Sequence, residues 1–144
     1  MTYQLLNAID RDFSSPVLLA MKNKRSTTVK LLLDHPKTDL KQASMKYGTV
    51  LHVCIANHDF SMALKLLKKL KALKDIDHKT EINKVDEEKN TSMHMLMRHF
   101  NVDPDSASKV AVALIKRGSN LKANNVHKLT PLHVALYYGQ NEAI

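Results

Sequence analysis

The stretch TPLHVALYYG, which runs from Thr130 to Gly139, decides the fold because it has the features of a short helix start. Thr130 can cap the helix with its hydroxyl, and Pro131 suits the first helical position, where its absent N–H costs nothing. An apolar set follows, and Gly139 is predicted to end the helix in a left-handed conformation. A helix of about two turns is marginal alone, so it is expected to pack against neighbours.

The same layout recurs earlier in the chain. Good copies are TSMHMLM (91–97) and TVLHVCI (49–55), and a weaker copy is SPVLLAM (15–21). A second apolar helix is predicted after each of these copies. In chain order, these helices are TTVKLLL (27–33) after residues 15–21, SMALKLL (61–67) after 49–55 and KVAVALI (109–115) after 91–97. The repeated unit is therefore a short helix, a turn, a second helix and an extended connector, which is typical of an all-α solenoid.

This unit resembles the ankyrin repeat, whose pattern runs roughly DxxGxTPLHxAxxxGHxxVVxLLLxxGADVNA over about 33 residues. The resemblance covers essentially the whole chain, and the copy that begins near Asn125 fits best. It implies an ankyrin-repeat solenoid of about four stacked helix-turn-helix units with extended finger loops between them. The expected units are about 10–43, 44–85, 86–124 and an incomplete 125–144, and residues 1–9 resemble the end of a preceding repeat.

The spacing of the copies predicts two insertions. The motifs start at residues 15, 49, 91 and 130, so they lie 34, 42 and 39 residues apart. The extra residues fall near 68–80 and 100–108, where they are expected to lengthen loops or helices. Solenoids need polar caps, and neither end of the chain has an obvious one, so we expect a fragment of a larger protein.

Composition and charge narrow the functional classes. The 144 residues contain one cysteine, Cys54, which excludes a disulfide within the chain and indicates a reducing, cytoplasmic compartment, or the host cytosol for a secreted effector. A formal net charge of +8 favours an acidic protein partner. The sequence has no recognisable signal peptide and no apolar run as long as a membrane span.

The histidines do not predict a metal site. None of the eight lies three or four residues from another, and His52, His94 and His133 share one repeat slot, about 10 Å apart. Each is instead expected to bond its own threonine and the neighbouring backbone. Cys54 takes the place of a small buried alanine and is expected to be an inert hydrophobe. Without a catalytic or nucleotide-binding motif, we predict no enzyme activity, cofactor, metal or small-molecule substrate.

The basic run ALKLLKKLKALK (63–74) is expected to pack by its apolar stripe and to leave its lysines solvated. An anionic membrane or an acidic protein is the alternative partner for these lysines. Nucleic acid is less favoured, because few aromatic residues lie between the lysines. The preferred partner of the whole chain remains a protein, or another domain of the same chain.

The resemblance implies that a partner binds the concave surface, which combines the finger tips with the exposed face of each first helix. Tyr137 and Tyr138 are the leading candidates, since tyrosine is enriched in binding hot spots; the alternative is that one of them packs against further helical structure. The other candidate positions are Arg98, His99, Glu87, Glu88, Val126, His127, Leu129, Met45, Lys46, Tyr47, Asn57, Arg11, Asp12 and Lys22, with Tyr47 in the slot of the usual finger glycine.

The sequence therefore predicts a non-catalytic protein–protein interaction module, such as a scaffold, adaptor or targeting domain. One alternative is the non-catalytic part of a larger enzyme or of a secreted bacterial effector. A second alternative is a basic protein that binds a membrane surface or nucleic acid through the lysines of residues 65–74.

Overall fold

A computed structural model describes residues 26–35, 43–44, 46–74 and 77–143. The described helices are α1 (Ser26–Asp34), α2 (Val50–Ala56), α3 (Phe60–Lys71), α4 (His78–Ile82), α5 (Ser92–Arg98), α6 (Pro104–Lys116) and α7 (Pro131–Ala143). Two strands of two residues each, β1 (Ala43–Ser44) and β2 (Gly48–Thr49), pair antiparallel, with Ala43 opposite Thr49 and Ser44 opposite Gly48. The all-α class is confirmed, since these short strands are the only ones in the described ranges.

The helices pack in two layers. The helices α2, α5 and α7, of which α2 and α5 are short at seven residues each, contact one another in sequence order and form the first layer, while α3 contacts α6 in the second. Within each pair, α2 packs on α3 and α5 packs on α6. The core lies between the layers, where Leu66, Leu96 and Leu114 are at most 1% exposed. Each short helix thus gains from packing the stability that its length cannot supply.

The predicted insertions become helical structure. Residues 100–108 form a 3-10 turn (Phe100–Val102) and the first turn of α6, which therefore starts at Pro104 rather than near residue 109. Asp103 caps this helix by accepting a hydrogen bond from the Ser106 N–H at 3.4 Å, and Pro104 occupies its first turn. The insertion at 68–80 includes the end of α3 and the start of α4, which is capped by the side chain of Asp77.

The prediction that Gly139 ends the last helix is wrong. Helix α7 continues through this residue to Ala143. Glycine permits a left-handed cap but does not require one, and within a helix it costs only about 1 kcal/mol relative to alanine.

Candidate partner-binding groove

Two histidines tie the first-layer helices to the loops that follow. The Nε2 of His52 lies 2.7 Å from the Asn90 carbonyl oxygen, and the Nε2 of His94 lies 2.8 Å from the Leu129 carbonyl oxygen. In each case the Nδ1 accepts the backbone N–H of the capping threonine, so the ring is neutral and its proton sits on Nε2. The predicted role of these histidines is therefore confirmed.

The capping geometry explains why Thr–x–x–His starts these helices. The Oγ1 of Thr49 accepts the N–H of His52 at 3.4 Å, while the Nδ1 of the His52 ring accepts the N–H of Thr49 at 3.0 Å. The imidazole of His52 thus replaces the glutamate or glutamine side chain of the usual capping box. Thr91 and His94 repeat the arrangement at the start of α5.

Two fingers, here the second finger (residues 85–90) and the third finger (residues 124–129), have the same internal bonding. In the second finger, the Oδ1 of Asp86 accepts the N–H groups of Glu88 at 2.9 Å and Asn90 at 3.0 Å. In the third, the Oδ1 of Asn125 accepts the N–H groups of His127 at 2.9 Å and Leu129 at 3.1 Å. Each finger is closed by a polar side chain near its start, Asp86 in the second finger and Asn125 in the third.

The two fingers are also bonded to each other. The Val126 N–H donates to the Glu88 carbonyl oxygen at 2.8 Å, and the Asn125 side-chain amide donates to the Asn90 side-chain oxygen at 3.0 Å. Asn90 and Asn125 are buried, at 7% and 8% exposure, so these bonds are shielded from water. The fingers therefore form one preorganised surface.

Left-handed residues shape each finger tip. Lys89 and Lys128 have φ values of 60° and stand two residues before their capping threonines, at the slot that the sequence pattern reserves for glycine. Before Thr49 the left-handed residue is Gly48 instead, with φ of 78°. The adjacent Tyr47 is half-buried, and the Lys46 ammonium lies 5.4 Å from its ring centroid.

A groove of about 450 Å³ lies between the two fingers and the first-layer helices α5 and α7. Six of the sequence-predicted positions line it, namely Glu88, Arg98, His127, Leu129, Tyr137 and Tyr138. We call this site the finger groove. Its walls are the bonded fingers, so its shape does not depend on a mobile loop.

The aromatic end of the finger groove has a defined geometry. The Tyr137 and Tyr138 rings meet edge to face, with centroids 5.1 Å apart and planes at 78°. The Arg98 guanidinium lies 5.4 Å from the Tyr138 ring centroid, within the range of a cation–π contact. Tyr137 is 58% exposed, whereas Tyr138 is half-buried. Tyr137 is thus the ring available to a partner, and Tyr138 fixes Arg98.

Charge is distributed unevenly along the finger groove. Glu88 lies at the finger rim and Arg98 on α5, so the groove can pair with both a cationic and an anionic group. Met95 and Val134 add an apolar floor.

Other predicted positions lie outside the finger groove. Glu87 and Val126 are exposed on the fingers, and Asn57 is half-buried beside the turn that links α2 to α3. Lys46 and Tyr47 belong to the first hairpin. The remaining predicted residues, Arg11, Asp12, Lys22 and Met45, lie outside the described residues.

His99 pairs with another histidine rather than with the finger groove. Its Nδ1 lies 3.0 Å from the Nε2 of His58, and the ring centroids are 4.8 Å apart. Burial, with smaller contributions from the charges of His58 and Arg98, lowers the pKa of His99 to about 4. Among the described residues, no group of three or more histidine, cysteine or acidic side chains is placed to hold a metal ion.

Cys54 is a buried core residue. Its side chain is 1% exposed, and burial followed by the charge of Asp59 raises the pKa of its thiol well above the ordinary value. A thiol of this kind is not a nucleophile at neutral pH.

Sequence reasoning missed several residues of the groove. Met95 and Val134 were treated only as members of short apolar helices, and Asn125 only as the start of a repeat. The role of Asn125 could have been found from its alignment with Asp86, since both stand five residues before a capping threonine.

Comparisons with known proteins show a distant sequence similarity. No family model matches the chain. The sequence is 22% identical over 134 residues to Rabankyrin-5 of Mus musculus. This alignment includes 93% of the chain but 10% of Rabankyrin-5, so the chain spans about a tenth of the length of its relative. In the described part of the chain, no helix has both the length and the apolar character needed to cross a membrane.

Proposed function

We propose that this chain is an ankyrin-repeat solenoid and serves as a non-catalytic protein–protein interaction module. The repeated Thr–x–x–His caps, each tied to the following finger, support the solenoid. The similarity to Rabankyrin-5 supports the same family, by the name of that protein. A cytoplasmic setting belongs to the proposal because the single thiol, Cys54, is buried and unpaired.

The observation that carries the proposal is the finger groove. It brings an exposed aromatic ring, Tyr137, together with the cation of Arg98 and the carboxylate of Glu88. Binding to such a surface costs little ordering entropy, because hydrogen bonds already fix the two fingers. Large aromatic and arginine side chains are also the residues on which binding energy concentrates.

The test is a quantitative pull-down from cytosol with the wild-type chain and a Tyr137→Ala variant. Leu136→Ala is the matched control, since Leu136 is 55% exposed on the same helix and does not line the finger groove. We expect a partner that both the wild type and the control retain and that Tyr137→Ala loses. Equal retention by all three folded proteins would show that the finger groove does not bind the partner.

A further inference from the structure

A second groove lies in the other layer, between α3 and α6, with a volume of about 610 Å³. We call it the outer groove. Helix α3 contributes Leu64, Leu67, Lys68 and Lys71, which follow the i, i+3, i+4, i+7 spacing of one helical face. Helix α6 contributes Lys109, Val112, Ala113 and Lys116 with the same spacing. Two helical faces of the same kind therefore face one another across the groove.

The outer groove is strongly cationic. Its lining includes Lys68, Lys71, Lys109, Lys116 and Arg117, and no carboxylate of the described residues is among its walls. Glu81 and Arg117 line a small neighbouring void, but Glu81 is bonded to Lys84 at 2.9 Å. Five cations so placed repel one another, and an anionic ligand would relieve that repulsion.

The basic run of α3 is divided into two sides. Lys65 and Lys69 lie 3.8 and 2.9 Å from Asp34, so they share one carboxylate within the chain. Lys68 and Lys71 face the outer groove, and no carboxylate of the described residues lies within ion-pair distance of either. The positive charge of this helix is thus left unpaired on the side of the groove.

The floor of the outer groove is apolar. Leu67 is 2% exposed, and Leu64 and Ala113 are half-buried between the lysine rows. We propose that the outer groove binds an acidic segment of a protein partner, in which carboxylates flank one or two aliphatic side chains. This is a second binding surface, and it does not depend on the function of the finger groove.

The shape of the groove favours a peptide over other anionic ligands. A membrane surface is bound by several apolar side chains that protrude, whereas Leu64, Leu67 and Ala113 are recessed and Val112, at 51% exposure, is the one apolar side chain of the described lining that protrudes. Single-stranded nucleic acid stacks its bases on aromatic rings, and among the described residues no phenylalanine or tyrosine lines this groove, where His78 supplies the one ring. A peptide can instead place its aliphatic side chains on the floor and its carboxylates on the rim.

The test is fluorescence anisotropy with a labelled dodecapeptide of Asp and Glu residues around two central Leu residues. A Lys68→Gln/Lys109→Gln variant removes two groove cations. A Lys65→Gln/Lys69→Gln variant removes the same charge from α3 but outside the groove. We expect the first variant to weaken binding roughly tenfold and the second less than about twofold, as exposed charges at a distance are screened.

Two further readouts keep the outcomes distinct. Amide shifts on peptide addition should cluster in 64–71 and 109–117, and a Tyr137→Ala variant should bind the peptide like the wild type. The proposal is overturned if the peptide does not bind at low salt, or if both lysine variants lose affinity equally. It is also overturned if anionic phosphatidylserine vesicles or an oligothymidine compete for the same lysines with higher affinity than the peptide.

Discussion

Replacing His52 by alanine is expected to remove about 2–4 kcal/mol of stability. The ring is 1% exposed, and the change removes its contacts with the Thr49 N–H at 3.0 Å, the Thr49 hydroxyl at 2.8 Å and the Asn90 carbonyl oxygen at 2.7 Å. The Asn90 oxygen still accepts the Asp86 N–H at 3.1 Å after the change. Losing the His52 bond to this oxygen therefore costs the free energy of one ordinary hydrogen bond, about 0.5–1.5 kcal/mol. The Thr49 N–H loses its acceptor within a buried site, which costs about 1–3 kcal/mol.

The matched control is His133→Ala. His133 has the same local bonds, with its Nδ1 3.2 Å from the Thr130 backbone nitrogen, but it is exposed and bonds only Thr130 among the described residues. Water can replace those bonds, so we expect a loss of about 1 kcal/mol or less. Urea unfolding followed by circular dichroism at equal m-values measures both losses. Equal losses of unfolding free energy in the two variants would refute the idea that the bond from His52 to Asn90 adds to stability.

Three further outcomes are expected. Acidification should destabilise the chain, because burial lowers the folded-state pKa of His52, His94 and His99, the last to about 4. In acid the unfolded chain then binds more protons than the folded chain. The contribution of these histidines to stability is therefore complete above their ordinary pKa of 6.5 and is lost as the pH falls toward 4. Identical melting midpoints at neutral and acidic pH would contradict this. The Cys54 thiol should react with a chromogenic disulfide reagent only when urea opens the fold, since it is 1% exposed, and a native rate equal to the unfolded rate would show that the core is open. Gly48→Ala should cost more than Gly118→Ala in urea unfolding, although both residues have positive φ and each change costs about 1–2 kcal/mol of backbone strain. A Cβ at Gly48 would lie 2.7 Å from the His52 ring, whereas a Cβ at Gly118 would meet only the flexible Lys79 side chain at 3.6 Å. Equal losses of stability in the two variants would show that the His52 ring moves aside without cost.

Contacts that follow from the repeat could be predicted from the sequence. Thr49 and His52 stand in the slots of Thr91 and His94, so one local interaction predicts the other. The bond from His52 to the next finger is also a consequence of stacking, since equivalent residues of neighbouring units lie side by side.

Features that depend on a single position could not be predicted in this way. Nothing in a repeat pattern states that the left-handed residue before Thr49 is Gly48, one position later than Lys89 and Lys128 relative to their own threonines. The early start of α6 at Pro104 is likewise a property of the inserted residues alone. These features depend on local backbone preferences, which alignment to a repeat pattern does not show.

The division of the basic run shows why charge patterning along one helix is an incomplete guide to function. Lys65, Lys68, Lys69 and Lys71 are chemically equivalent in the sequence, yet two of them pair with Asp34 and α6 faces the other two with further cations. Which lysines stay unpaired depends on the neighbouring helices. Since the first layer carries the finger groove and the second layer carries the outer groove, with buried Leu96 and Leu114 between them, one rigid stack can present two surfaces of different chemistry. Their ligands are therefore expected to bind without competing.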